Sequence, residues 1–208
     1  TLSFQLVEGT ADNISFNLLP GTRKSVHLDE LPGLADAQVS TKVSSNRDVV
    51  AERAVYFDYN GKQGGHDSIG VSNVSGEWYL AEGYTGGDFD TWVLVQNPGT
   101  EAATVTLSFQ LLSGTAEAHT FELAPGTRGS VHLDELPGLA DAQVSTKVAS
   151  DKPVVGERAE YFTYDGKQGG HDSIGTNMPR TTWYLAEGYT GGDFDTWVLI
   201  QNPGDEAA

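Results

Sequence analysis

The sequence contains no cysteine. Disulfide frameworks, thiolate zinc sites and cysteine nucleophiles are therefore excluded, although this absence does not fix the cellular compartment. No run of about 18 apolar residues is present, so no membrane-spanning helix is predicted. Positive charge is scarce, because 12 Lys and Arg residues stand against 29 Asp and Glu residues and give a net charge of −17. An acidic chain without a basic surface is not expected to bind nucleic acid.

A repeat with a period of 105 residues organises the whole sequence. The segment Thr1–Leu6 (TLSFQL) returns at Thr106–Leu111. The segment Trp78–Gly99 (WYLAEGYTGGDFDTWVLVQNPG) returns at Trp183–Gly204 with a single change. Of the 103 positions that pair at this offset, 26 differ. A period of this length is typical of a whole small domain rather than of a solenoid unit.

The differences between the copies concentrate in one segment, which predicts the boundaries of the repeating unit. All seven residues of 71–77 differ from those of 176–182, and both segments are polar and interrupted by Gly or Pro, as linkers are. We therefore predict a complete unit at 78–182. Residues 1–77 are then the last three quarters of a preceding unit, and residues 183–208 are the first strands of a further unit.

Alternating apolar and polar residues predict short β-strands throughout the unit, and no stretch has a sustained helical period. About seven strands in about 105 residues, separated by turn signals, are typical of an immunoglobulin-like sandwich. We therefore expect an all-β protein made of tandem antiparallel immunoglobulin-like β-sandwich repeats. The predicted strands of the complete unit are Thr91–Gln96, Val105–Leu111, His119–Leu123, Ser130–Leu133, Gln143–Val148 and Val154–Phe162.

The motifs of the unit also carry a resemblance to known proteins. In chain order they are WYLAEG, FDTWVLVQNPG, LAPGTRGSVHL, VVGERAEYF and GGHDSIG. This order resembles β-sandwich repeats found in tandem in large secreted or cell-surface bacterial and archaeal proteins. It is also similar in outline to CARDB-type adhesion modules. The resemblance implies an extracellular or cell-surface stalk, fibre or adhesion role, and it implies no catalytic activity.

Acidic residues in the glycine-rich loop form a candidate metal site. Asp88 and Asp90, with their counterparts Asp193 and Asp195, could supply oxygen ligands to calcium, and Glu82 could join them. The alternative is that these Asp residues accept backbone hydrogen bonds in a tight turn. The turn role is the favoured one, so we expect no cofactor, with calcium as the possible exception.

The motif GGHDSIG does not predict a catalytic triad. His66, Asp67 and Ser68 are consecutive, and consecutive side chains of a strand point to opposite faces of the sheet. The other loops contain no assembled acid–base or nucleophile set, so we expect that the protein is not an enzyme.

Aromatic, apolar and arginine side chains are candidates for contacts between units or subunits, because such residues commonly anchor interfaces. We expect Arg158 to pair with Glu187 or Asp195 of a neighbouring unit, and we expect an interface role for Arg53 as well. The alternative is that these arginines lie on a solvated strand face. The predicted interface residues are Trp183, Tyr184, Leu185, Trp197, Leu199, Arg53 and Arg158.

Together these observations predict a structural repeat protein that forms a stalk or filament. Residues 183–208 could complete residues 1–77 of the next chain by donating strands, which gives a head-to-tail homopolymer. Alternatively, the same contacts join neighbours in a longer covalent array. A second hypothesis is a cell-surface adhesion module that recognises a glycan or a surface protein, with or without calcium. No insertion into a membrane is expected.

Overall fold

The computed structural model describes residues 1–208 and is almost entirely β. All strand pairs are antiparallel, which confirms the predicted all-β class with antiparallel sheets. No helix is long and apolar enough to cross a membrane. Besides two 3-10 turns, the strands are β1 (Leu2–Leu6), β2 (Thr10–Ile14), β3 (Val39–Val43), β4 (Glu52–Tyr59), β5 (Lys62–Ile69), β6 (Ser75–Leu80), β7 (Phe89–Gln96), β8 (Ala103–Leu111), β9 (Thr115–Leu123), β10 (Arg128–His132), β11 (Val144–Tyr164) and β12 (Lys167–Ile174).

Strands β6 to β12 form two sheets that share one long strand. The first sheet has the order β9-β8-β11-β6, and the second has the order β10-β7-β11-β12. Strand β11 is 21 residues long and passes from the first sheet to the second. The passage lies between Ala149 and Val154, where the pairing register with β6 shifts. A strand that changes sheets at such an irregularity holds both sheets in a fixed relation.

The core lies between these sheets and follows directly from the alternating sequence. In β7 and β8 every second residue is buried, because successive side chains of a strand point to opposite faces. Burial of these side chains is the main favourable contribution to folding. The core cluster comprises Trp78, Leu80, Val93, Val95, Ala103, Val105, Leu107, Phe109, Leu123, Leu133, Leu139, Val144, Val148 and Val154.

Part of the segment predicted to be a linker belongs to a strand. Strand β6 begins at Ser75 and pairs with β11, so residues 75–77 continue the sheet ahead of Trp78. Two backbone hydrogen bonds of 2.8 and 3.1 Å between Tyr79 and Thr176 fasten the chain just after β12 to the last part of β6. The two boundaries of the sandwich are therefore tied to each other.

Residues 1–77 repeat only part of this architecture. They form a three-stranded sheet β2-β1-β3 and a separate hairpin β4-β5, whereas the corresponding stretch of β11 is one continuous strand. The strands that flank β11 as β6 and β7 have no counterpart beside β3 and β4. Val49 is consequently 47% exposed, while its counterpart Val154 is fully buried at 0%.

Residues 183–208 contain no strand, although their sequence repeats that of β6 and β7. Trp183 is 57% exposed, whereas its counterpart Trp78 is 2% exposed. The same sequence is therefore core in one copy and surface in the other, because only the second copy includes the strands that pack on it.

Candidate interaction site between copies

Residues 1–77, 78–182 and 183–208 are called the first, second and third copy below. Glutamine and lysine contacts of the first copy with the second recur between the second and the third. The Nε2 amide of Gln96 donates to Oε1 of Gln5 over 2.6 Å, and Gln201 donates in the same way to Gln110 over 2.8 Å. Each residue of the second pair lies 105 positions after its counterpart in the first pair.

An ion pair recurs in the same manner. The ammonium group of Lys62 lies 2.7 Å from Oδ2 of Asp90, and that of Lys167 lies 2.7 Å from Oδ2 of Asp195. Lys62 is buried and also lies 3.2 Å from Oδ1 of Asp88. Of the four aspartates considered for calcium, Asp88, Asp90 and Asp195 thus pair with a lysine of the preceding copy. Calcium at Asp88 and Asp90 stays a prediction, and the ion would compete with that buried ammonium group.

Glycines of the GGHDSIG motif allow the hairpins β4-β5 and β11-β12 to approach closely. A Cβ atom on Gly64 would lie 3.3 Å from the Cα atom of Gly169. A Cβ atom on Gly170 would lie only 2.8 Å from Cζ of Phe57, closer than real Cβ contacts. The glycines therefore serve the packing of one copy on the next.

Aromatic rings fill the remainder of this contact. The ring of Tyr161 lies 4.8 Å from that of Phe57 in an edge-on arrangement, and 5.0 Å from that of Tyr59. His66 lies 5.9 Å from Tyr161, and burial, followed by the charge of Arg53, lowers the pKa of His66. The Nε2 atom of His66 also lies 3.5 Å from the Tyr161 hydroxyl, so the ring adds a polar contact to the aromatic packing.

Arg53 joins the first copy to two carboxylates of the second. Its Nη1 atom lies 2.9 Å from Oε2 of Glu157, and its Nη2 atom lies 2.8 Å from Oδ1 of Asp172. Burial, and then the adjacent Glu157, raises the pKa of Asp172 to about 7. The structure thus places Arg53 between copies, where one guanidinium group serves two carboxylates.

Arg158 is arranged differently from the sequence-based expectation. Its Nη2 atom lies 2.8 Å from Oε2 of Glu82, and its Nη1 atom lies 3.0 Å from Nδ1 of His171 and 3.8 Å from Glu160. All of these residues belong to the second copy, and neither Glu187 nor Asp195 is a partner. Glu82, which follows β6, reaches Arg158 because β6 and β11 belong to the same sandwich.

Two groups of side chains could hold a metal ion by proximity. The first group is Glu82, Glu160 and His171, and the guanidinium group of Arg158 lies among these ligand atoms. A cation there would be repelled by this charge. The second group is Asp90, His132 and Asp134. No arginine contacts its ligand atoms, and its nearest cation, Lys62, lies 2.7 Å from the Asp90 oxygen that does not face His132.

The apolar residues predicted for an interface in the third copy are solvent-exposed. The third copy instead contacts the second through Gln201, Asn202 and Asp195. The exposed residues are Trp183, Tyr184, Leu185, Trp197 and Leu199.

Sequence reasoning missed the polar residues that make the contact. Gln5, Gln96 and Lys62 lie in strands or at their ends, and nothing in their local sequence distinguishes them from solvated side chains. Gln38 is a further example, since its Oε1 accepts a hydrogen bond of 2.9 Å from Arg128. Only the recurrence of the pairs along the fold reveals their role.

The sequence matches no protein-family model and no curated protein. Among solved structures, one titled Thermotoga maritima 1070 is similar, with 20% identity and a TM-score of 0.47 over 50% of this chain and 95% of that chain. Another, the Anabaena sensory rhodopsin transducer, has 20% identity and a TM-score of 0.38 over 43% of this chain and 91% of that chain. Neither likeness is strong enough to carry an argument about function.

Proposed function

We propose that the chain is a structural protein whose immunoglobulin-like β-sandwich units of about 105 residues stack head to tail into a stalk or filament. The observation that carries the proposal is the recurrence of the contact. Gln5–Gln96 and Gln110–Gln201 are the same pair one unit apart, and Lys62–Asp90 and Lys167–Asp195 are another.

A contact of this kind is heterologous. It joins one surface of a unit to a different surface of the next, so each addition leaves a new surface of the first kind free. Repetition of such a step gives an extended array unless its rotation closes a ring. The net charge of −17 favours separation of one such array from another, because like-charged surfaces repel.

The incomplete copies supply a reason for the array to grow. The first copy has strands β3 and β4 without the neighbours that flank β11, and the third copy carries the sequence of those neighbours as exposed chain. Pairing the two would cover open strand edges and bury exposed Trp and Leu side chains. The partner is either another copy of the chain or the next stretch of a longer polypeptide. A location outside the cell is part of the proposal and rests on the sequence resemblance alone.

The periodicity of the sequence allows a direct test of this completion. Ala208 corresponds to Ala103 and Thr1 to Thr106, so only Thr104 and Val105 lack a counterpart between the two ends. Two chains fused through an inserted Thr-Val dipeptide should therefore form a complete sandwich at the junction. Burial of the Trp183 ring in that sandwich should shift its fluorescence emission to shorter wavelength.

A fusion with a single inserted Thr is the matched control. The junction lies in the counterpart of β8, and a one-residue slip turns every following side chain to the opposite face. The control should therefore keep Trp183 exposed. The emission of Trp183 is isolated by replacing the other tryptophans with Phe. Equal emission of Trp183 in the two fusions would refute completion of the unit.

A further inference from the structure

A histidine and two aspartates meet at one end of the second copy. The Nε2 atom of His132 lies 3.2 Å from Oδ2 of Asp134 and 3.5 Å from Oδ1 of Asp90. His132 ends β10, Asp134 lies in the following 3-10 turn, and Asp90 comes from the adjacent strand β7. Three residues from neighbouring backbone segments thus converge on one point.

The side chains of His132 and Asp134 are held in place by further contacts. The ring of His132 stacks on Trp92 with 4.2 Å between centroids, and its Nδ1 atom lies 3.4 Å from Oε1 of Glu135. Asp134 accepts a hydrogen bond of 2.9 Å from the backbone N–H of Thr91. A carboxylate on one ring nitrogen favours the tautomer whose other nitrogen carries a lone pair.

The Nε2 atom of His132 is buried and has no hydrogen-bond partner. This nitrogen faces two carboxylate oxygens. Three buried acceptor atoms with no cation or proton between them are electrostatically unfavourable. Ligand bonds of about 2.0–2.1 Å in a tetrahedral site place neighbouring ligand atoms about 3.4 Å apart. The observed 3.2 and 3.5 Å bracket that separation.

Local charge at this point remains negative even with the lysine beside Asp90, because one ammonium group stands against three carboxylates. Asp90, Asp134 and Glu135 surround His132, and the nearest fixed positive charge is Lys62, which lies 2.7 Å from the other oxygen of Asp90. The oxygen of Asp90 that faces His132 is therefore not the one closest to the lysine.

We propose that Asp90, His132 and Asp134 form a binding site for a divalent transition-metal ion of the zinc type. The three side chains supply one nitrogen and two oxygen ligands, and the fourth position is open to water. Glu135 and the Thr91 N–H orient the ligands from outside, in the manner of supporting residues at known zinc sites.

The first copy contains a natural control for this site. His27 lies 3.1 Å from Asp29, so the same sequence HLDE is present, but no counterpart of Asp90 accompanies it. The third copy contains Asp195, the counterpart of Asp90, without a following histidine. Each control retains part of the ligand set and lacks the remainder.

The test is calorimetric titration of the full chain with Zn²⁺ in excess Mg²⁺, which suppresses binding to scattered carboxylates. One zinc ion per chain should bind. His132→Gln and Asp90→Asn should each weaken the affinity at least about tenfold, whereas His27→Gln and Asp195→Asn should leave it unchanged. The proposal would be overturned if the wild-type chain showed no saturable zinc binding, or if His132→Gln and His27→Gln bound zinc equally well.

A second measurement keeps the test valid if a variant fails to fold. In the wild-type chain, ring proton resonances of His132 should respond to one equivalent of Zn²⁺ while those of His27 do not. If added zinc leaves the His132 resonances unchanged, the metal site is refuted.

Discussion

Replacing Glu160 by Gln is expected to remove a loss of stability that the wild-type chain undergoes as the pH rises from about 4.5 to about 7. The Glu160 side chain is only 2% exposed. Its Oε2 atom accepts hydrogen bonds of 3.0 Å from the Tyr84 N–H and 3.1 Å from the Thr91 hydroxyl. Burial is the largest influence and raises the pKa of Glu160 to about 7, against the opposing effect of Arg158.

The sign and size of the effect follow from proton linkage. Between pH 4.5 and about 7 the unfolded chain has lost this proton while the folded chain retains it, so stability falls as the pH rises. Each pKa unit corresponds to about 1.4 kcal/mol, which gives a total loss of about 3 kcal/mol. The stability that the chain has with Glu160 protonated is fully present below pH 4.5 and lost above about pH 7. A neutral Gln keeps an acceptor oxygen and cannot titrate.

The assay is urea unfolding of the full chain followed by tryptophan fluorescence at several pH values between 4.5 and 8. Asp172, whose pKa is also raised to about 7, contributes in the same window in both proteins. The difference between wild type and Glu160→Gln therefore isolates Glu160. The exposed Glu117→Gln is the control and should follow the wild type. An unchanged pH slope in Glu160→Gln would refute the assigned burial of this charge.

Two further pairs of substitutions test the packing. Gly170→Ala should lower the free energy of unfolding by about 1–3 kcal/mol, because its Cβ atom would lie 2.8 Å from Phe57. In Gly129→Ala the nearest contact is an ordinary 3.4 Å, so an equal loss there would contradict the close approach of the hairpins. Trp78→Ala should cost about 3–5 kcal/mol in chemical unfolding. Trp183→Ala should change stability by less than about 0.5 kcal/mol, and similar losses at both positions would contradict the different environments of the two copies.

The strands of the second copy could be predicted because period-two alternation is a local property. The predicted Val105–Leu111 lies within β8, and Thr91–Gln96 lies within β7. The continuity of β11 could not be predicted in this way. Residues 149–153 contain Pro153 and read as a break, yet the strand passes through them because flanking strands pair on both sides.

The contact between copies depends on tertiary geometry that sequence patterns do not encode. Arg53 and Arg158 occupy equivalent positions, but Arg53 reaches Glu157 of the next copy while Arg158 reaches Glu82 of its own. The difference arises because residues 1–77 have no counterpart of Glu82. The ligand role of His132 was also hidden, since its proposed partner Asp90 is 42 positions away and adjacent only through strand pairing.

Hydrogen exchange in the fusion joined by Thr-Val tests the central claim of unit completion most directly. In the unfused chain at low concentration, the amides of Trp183–Gly204 lie outside any strand and should exchange rapidly. In the fusion, completion of the sandwich should slow the core amides of that segment by a factor of about 1,000 or more. Equally rapid exchange of Trp183–Gly204 in the fusion and in the unfused chain would contradict the account.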